Sequence, residues 1–79
     1  MNPGNKNRTR IKTVMAAENI TLKNIVEKIN SRNPEHTTTA QNITNKLARN
    51  TIRFREVEEI MDILGYDVIF RHRQTGKEF

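Results

Sequence analysis

The sequence predicts a mainly α fold: four helices followed by one C-terminal β-strand. Three observations carry this. Apolar residues recur at i, i+3, i+4 and i+7 in two separate segments: Leu22, Ile25, Val26 and Ile29, then Val57, Ile60, Met61 and Leu64. Capping residues stand at the ends of the periodic segments, with Thr21 before one and Gly65 after the other. The period changes to two only after Gly65, where Tyr66, Val68 and Phe70 alternate with Asp67, Ile69 and Arg71.

Taken in order, residues 1–7 contain Pro3, Gly4 and three Asn and read as a flexible, basic arm. From Arg8 the positions Ile11, Val14 and Met15 form a helical stripe that ends near Glu18 or Asn19. The second helix follows Thr21, whose hydroxyl can accept a free first-turn N–H. The polar segment SRNPEHT then breaks the pattern, because Pro34 disfavours a helical conformation at Asn33. Thr38 or Thr39 caps a third helix with a narrow stripe of Ala40, Ile43 and Leu47. The fourth helix covers residues 56–65. Residues 66–73 are the expected strand and residues 74–79 a tail.

A lone strand needs a partner for its backbone groups. Either the N-terminal arm pairs with it or two copies pair across a dimer axis. The second is favoured, with Tyr66, Val68, Ile69 and Phe70 as the dimer strand. A chain of 79 residues makes one domain with a thin core, and such domains usually gain support from disulfides, a metal or another subunit. With no Cys, disulfides and thiolate metal sites are excluded. No apolar run approaches the roughly 20 residues of a membrane span, and no signal-peptide pattern opens the chain. The expected location is the cytoplasm, without membrane contact.

The net charge of +5 is unevenly spread. Lys6, Arg8, Arg10 and Lys12 stand without an acid in residues 1–13. Arg32, Lys46, Arg49, Arg53 and Arg55 face Glu35 alone in residues 31–55. Glu56, Glu58, Glu59, Asp62 and Asp67 then form an acidic block. Two basic blocks folded onto one side have the field for a phosphate backbone; a merely solvated surface is the plain alternative.

The third helix is the informative one. With Ile43 and Leu47 inward, Gln41, Asn42, Asn45, Lys46 and Arg49 spread over the opposite face, with Thr44 at its edge. Asn and Thr are poor helix formers, and solvated helices favour Glu and Lys. Gln and Asn can pair bidentately with adenine, and Arg with guanine, in a major groove. The alternative is an ordinary polar helix in a chain that is Asn-rich throughout.

The order TLKNIVEKI, turn, TTAQNITNKLARNTIRFREVEEIMDILGYDVIF resembles the helix-turn-helix of the Cro and phage-repressor superfamily (XRE type) over about two-thirds of the chain. The stretch QNITNKLARNTIRF is similar to a variant found among small regulators of Firmicutes and their mobile elements. The resemblance implies a helix-turn-helix domain over residues 8–65, with residues 39–49 as recognition helix. It implies a homodimeric regulator of transcription, of repressor type, on an inverted repeat in double-stranded DNA. Gln41, Asn42 and Asn45 would then reach base edges. Thr39, Lys46, Arg49, Thr51, Arg53 and Arg55 would hold phosphates, and Lys6, Arg8 and Arg10 of the arm would follow the backbone or enter a minor groove. The chain departs from the family between the two helices, where nine residues replace a turn of three or four. That segment is read as a slack loop in preference to a wing contacting the backbone through Arg32 and His36.

Other functions find little support. Ser31 has no evident base partner, His36 and His72 are far apart in sequence, and the glycines are too scattered for a phosphate loop, so no enzyme, cofactor or metal is expected. The serious competitor is a helix-turn-helix-derived protein-binding module, such as an antirepressor or an inhibitor of a host defence system. RNA binding lacks the stacking aromatics of single-strand readers.

Overall fold

The computed structural model describes residues 6–79 and contains four α-helices: α1 (Lys6–Glu18), α2 (Leu22–Arg32), α3 (Ala40–Ala48) and α4 (Phe54–Leu64). Their inward stripes follow the sequence periodicity. Ile11 of α1, Ile25 and Val26 of α2, Ile43 and Leu47 of α3, and Ile60, Met61 and Leu64 of α4 form the buried core. Val14, Met15, Leu22, Ile29, Ala40 and Val57 pack half-buried around it. Both α3 and α4 lean on α1 and α2.

The helix ends are closed by side chains and by left-handed residues. Thr21 and Asn24 form a reciprocal box: Thr21 Oγ1 accepts from the Asn24 N–H (3.3 Å) and Asn24 Oδ1 from the Thr21 N–H (3.4 Å). At the other ends, Asn19 (φ 53°), Asn50 (φ 55°) and Gly65 (φ 87°) turn the chain out of α1, α3 and α4. In each case the next residue donates back into the last turn: Ile20 to Met15, Thr51 to Lys46 and Tyr66 to Met61.

The connection between α2 and α3 is fastened, contrary to the slack loop expected. The Asn30 amide grips Thr38 at both backbone groups, donating from Nδ2 to its carbonyl (2.9 Å) and accepting its N–H at Oδ1 (2.8 Å). Asn33 Nδ2 donates to Glu59 of α4 (3.1 Å), and Arg32 pairs with Asp62 of α4 (2.9 Å). Arg32 therefore faces α4 and not a ligand.

The C-terminal strand is not formed: no β-strand exists among the described residues, and the fold is a mainly α four-helix bundle. The expected dimer strand is not formed, and Tyr66, Val68 and Phe70 are engaged within their own chain while Ile69 is left exposed. The Tyr66 hydroxyl donates to Glu18 of α1 (3.1 Å), and Val68 packs against the core. Phe70 exchanges both backbone hydrogen bonds with Phe79 (3.0 Å each), and the His72 N–H donates to the Lys77 carbonyl (2.8 Å). The expected tail thus folds back through a turn at residues 73–76, closed by Gly76 at φ 75°. Two backbone N–H groups of that turn, of Gln74 and Thr75, donate to His72 Nδ1. A single isolated bridge, Arg71 to Glu78, is all the β structure this hairpin reaches.

Of the expected arm, residues 1–5 lie outside the described residues, whereas Lys6 and Asn7 already belong to α1. The fourth helix begins two residues earlier than its apolar stripe suggests, because Glu56 Oε1 accepts the Arg53 N–H (3.0 Å) and so starts the helix at Phe54.

Removing the Asn30 clamp tests the fastened connection. Asn30→Ala leaves the half-buried Thr38 N–H without its acceptor and should destabilise the fold by about 1–3 kcal/mol in urea unfolding. A change within error would mean that the clamp does not hold the segment.

Candidate nucleic-acid interface

The outward face of α3 is built by its cap and its stripe. Thr39 Oγ1 accepts the Asn42 N–H (3.1 Å), and the Ile43 N–H donates to the Thr39 carbonyl (3.2 Å). The N–H groups of Ala40 and Gln41 are left at the helix N-terminus, where an anion is favoured. With Ile43 and Leu47 buried, Gln41, Asn42, Asn45 and Arg49 are all exposed. Gln41 Nε2 donates to Asn45 Oδ1 (3.1 Å), which lays the two amides side by side one turn apart.

The chain has ten Asn, eight of them among the described residues, and the structure separates seven of these by use. Asn19 and Asn50 take left-handed conformations, Asn24 completes a cap, Asn30 clamps Thr38, and Asn33 donates to the Ile29 carbonyl. Each of these five serves the backbone. The side chains of Asn42 and Asn45 do not: they stand exposed, Asn42 in the first turn of α3 and Asn45 in its middle, with Asn45 bonded only to Gln41.

Between α3, α4 and the segment before α3 lies a groove of about 450 Å³. Asn42 and Lys46 form its α3 wall, Arg55, Glu56 and Glu59 its α4 wall, and His36, Thr37 and Thr38 its end. One ion pair crosses it: Lys46 Nζ lies 2.7 Å from Glu56 Oε2. Glu56 thus holds α3 through one oxygen and starts α4 through the other. Partial burial pushes its pKa up, but the Lys46 hydrogen bond, the Arg53 N–H and the charges of Lys46 and Arg53 outweigh this, and the carboxyl sits below its ordinary value.

The expected phosphate-binding residues are thereby divided. Arg49 ends α3 and is exposed, and Arg53 and Arg55 are exposed at the start of α4. None of these three makes an ion pair among the described residues. Thr51 is exposed after the α3 turn. Lys46, by contrast, is already occupied by a carboxylate. Lys6, Arg8 and Arg10 lie on α1, which packs against α3 and α4, and Arg8 is half-buried there. Sequence reasoning missed Glu56, because Arg53 at the N-cap does not complete the usual capping-box signature, and Asn30, which carries no local signal.

Among the described residues no group of three or more His, Asp or Glu is placed to hold a metal ion, and no helix is long and apolar enough to cross a membrane. The chain matches no family model, no curated protein and no solved structure.

The lowered pKa of Glu56 fixes the sign of a pH effect. Its contribution to stability is complete above the ordinary carboxylate range and is lost as pH falls through the lowered folded value. Glu56→Gln keeps an oxygen for the Arg53 N–H but loses the Lys46 charge pair. The variant should be less stable than the parent in urea at pH 7, and the gap should narrow on acidification. A gap independent of pH would count against the ion pair.

Proposed function

We propose that the protein is a sequence-specific binder of double-stranded DNA, a transcriptional regulator of the repressor kind that places α3 in the major groove. The observation that carries this reading is the α3 face. Gln41, Asn42 and Asn45 are exposed where helix propensity disfavours Asn, and two of them do nothing for the backbone. Their side-chain amides are suited to adenine, and Arg49 at the end of the helix is suited to a phosphate or to guanine. Thr39 with the open amides of the α3 N-terminus offers a second phosphate contact, and Arg53 and Arg55 extend the basic edge. Lys46 is a phosphate ligand only after leaving Glu56. The likeness to Cro-type helix-turn-helix regulators supports the same reading.

A protein-binding module draws on a different surface, the exposed aromatics of the C-terminal hairpin. The two readings are separated by selecting bound sequences from random duplexes with the purified chain, then titrating salt. Each phosphate contact contributes a slope of about −0.9 in log affinity against log salt. An enriched motif with a steep salt dependence is expected; no motif and no dependence would leave the protein-binding module.

Three substitutions sort the contacts. Arg49→Ala should weaken binding to every duplex. Asn45→Ala should cost about 1–3 kcal/mol on the selected motif and flatten preference at one or two base positions. Equal losses on selected and random duplexes would remove Asn45 from base reading. Glu56→Gln should tighten binding to all duplexes and steepen the salt slope by about 0.9, since it releases Lys46 for a phosphate. An unchanged slope would mean that Lys46 never reaches the backbone.

A further inference from the structure

Three exposed rings, far apart in the sequence, collect at one place on the fold. Phe54 is 52% exposed, Phe70 65% and Phe79 80%. The Phe54 and Phe70 rings stack at 5.9 Å with 20° between their planes. Phe79 is the backbone-paired neighbour of Phe70, so the two side chains leave the hairpin on the same side. His72 and Lys77 face each other two residues further along the hairpin and project to that side as well, whereas Arg71 and Glu78 project to the other.

The charges beside these rings are mostly positive. Arg53 and Arg55 flank Phe54 in the chain, and both are exposed. Lys77 Nζ lies over the Phe79 ring, 5.4 Å from its centroid, and Arg73 is exposed in the adjoining turn. Against these stand Glu58, exposed one helical turn after Phe54, and the carboxyl end of Phe79, which accepts the Phe70 N–H (3.0 Å). The surface therefore suits a ligand that is anionic and also carries flat apolar parts. A duplex keeps its base faces inside the stack and offers this surface only phosphates. A docking peptide helix needs an apolar groove, and none of the three rings lines the α3–α4 groove or the pocket at the hairpin turn. A single strand offers both parts at once, since its unpaired bases have free π-faces and a phosphate follows each one.

We propose that the Phe54, Phe70 and Phe79 face is a binding site for single-stranded nucleic acid. Unpaired bases stack on the exposed rings while Arg53, Arg55 and Lys77 take the flanking phosphates. The stacking aromatics that the sequence does not display as a motif are thus assembled by the fold, from the start of α4 and the two arms of the hairpin. The site goes beyond the duplex reading and does not rest on it, although Arg53 and Arg55 adjoin both surfaces.

The test is fluorescence anisotropy of the full chain with labelled single strands of equal length: oligothymidine DNA, oligouridine RNA and an abasic deoxyribose-phosphate strand, each over a range of salt. A base-bearing strand should bind at least about fivefold tighter than the abasic one, and the tighter of the two assigns DNA or RNA. Phe70→Ala and Phe79→Ala should each lower affinity for that strand by roughly five- to a hundredfold and leave its salt slope as it was. Circular dichroism should be unchanged, since both positions lie outside the core. Phe70→Tyr, which keeps the ring, should retain binding. Lys77→Ala should flatten the salt slope by about 0.7. An abasic strand bound as tightly as the others, or Phe variants that bind as the parent does, overturns the proposal and leaves the rings to a protein partner. An unchanged slope for Lys77→Ala overturns the phosphate role of that side chain. Because no duplex is present, a failed duplex selection leaves these outcomes standing.

Discussion

Among the described residues the four helices share eight buried side chains, all apolar. A core of this size is thin for the length of chain that has to be ordered around it. The fold therefore depends on where each helix stops and how the connections are held. Polar side chains do this work: the Thr21 and Asn24 box, the Thr39 cap, the Glu56 start of α4 and the Asn30 clamp. Left-handed Asn19, Asn50 and Gly65 complete the list. Five of the ten Asn thus serve the fold, which makes the exposed Asn42 and Asn45 of α3 the more informative.

The helices and their inward faces could be read from the sequence because apolar spacing alone sets them. The stripes through Ile25 and Val26, Ile43 and Leu47, and Ile60 and Met61 are the core observed. What spacing could not supply was pairing. Tyr66, Val68 and Phe70 have the alternation of a strand, but a strand is defined by what it bonds to, and Phe70 bonds to Phe79 of the same chain. Alternation recorded an extended segment and said nothing of its partner. For the same reason the Pro34 segment looked slack, since a clamp between residues 30 and 38 has no periodic signature. The exposure of Gln41, Asn42, Asn45 and Arg49 followed from the stripe, whereas Lys46, expected on the same face, is half-buried. The division into free and occupied cations did not follow, because the Lys46 partner lies ten positions away on another helix.

Glu56 connects folding with the proposed recognition. One carboxylate starts α4, ties α3 to it across an open groove and neutralises the one half-buried cation of α3. An intramolecular carboxylate in that place lowers sequence-independent attraction to a polyanion without touching the amides that would distinguish bases. Affinity would then lean more on Gln41 and Asn45 and less on charge, a balance that favours discrimination over tight non-specific retention.

The amide of Asn30 has a consequence for how this connection can vary. By imitating one backbone pair, it divides nine residues into a closed neck and a short outer tip around Pro34, Glu35 and His36. The entropy of closing the tip is set at the neck, and each doubling of its length would add only about 0.6 kcal/mol. Residues inserted at the tip would leave the start of α3 where it is, whereas a single residue inserted between Thr38 and the Thr39 cap would shift it. The unusual length of this turn is thus tolerable inside the clamp, and it is the step from the clamp to the α3 cap that has to stay fixed.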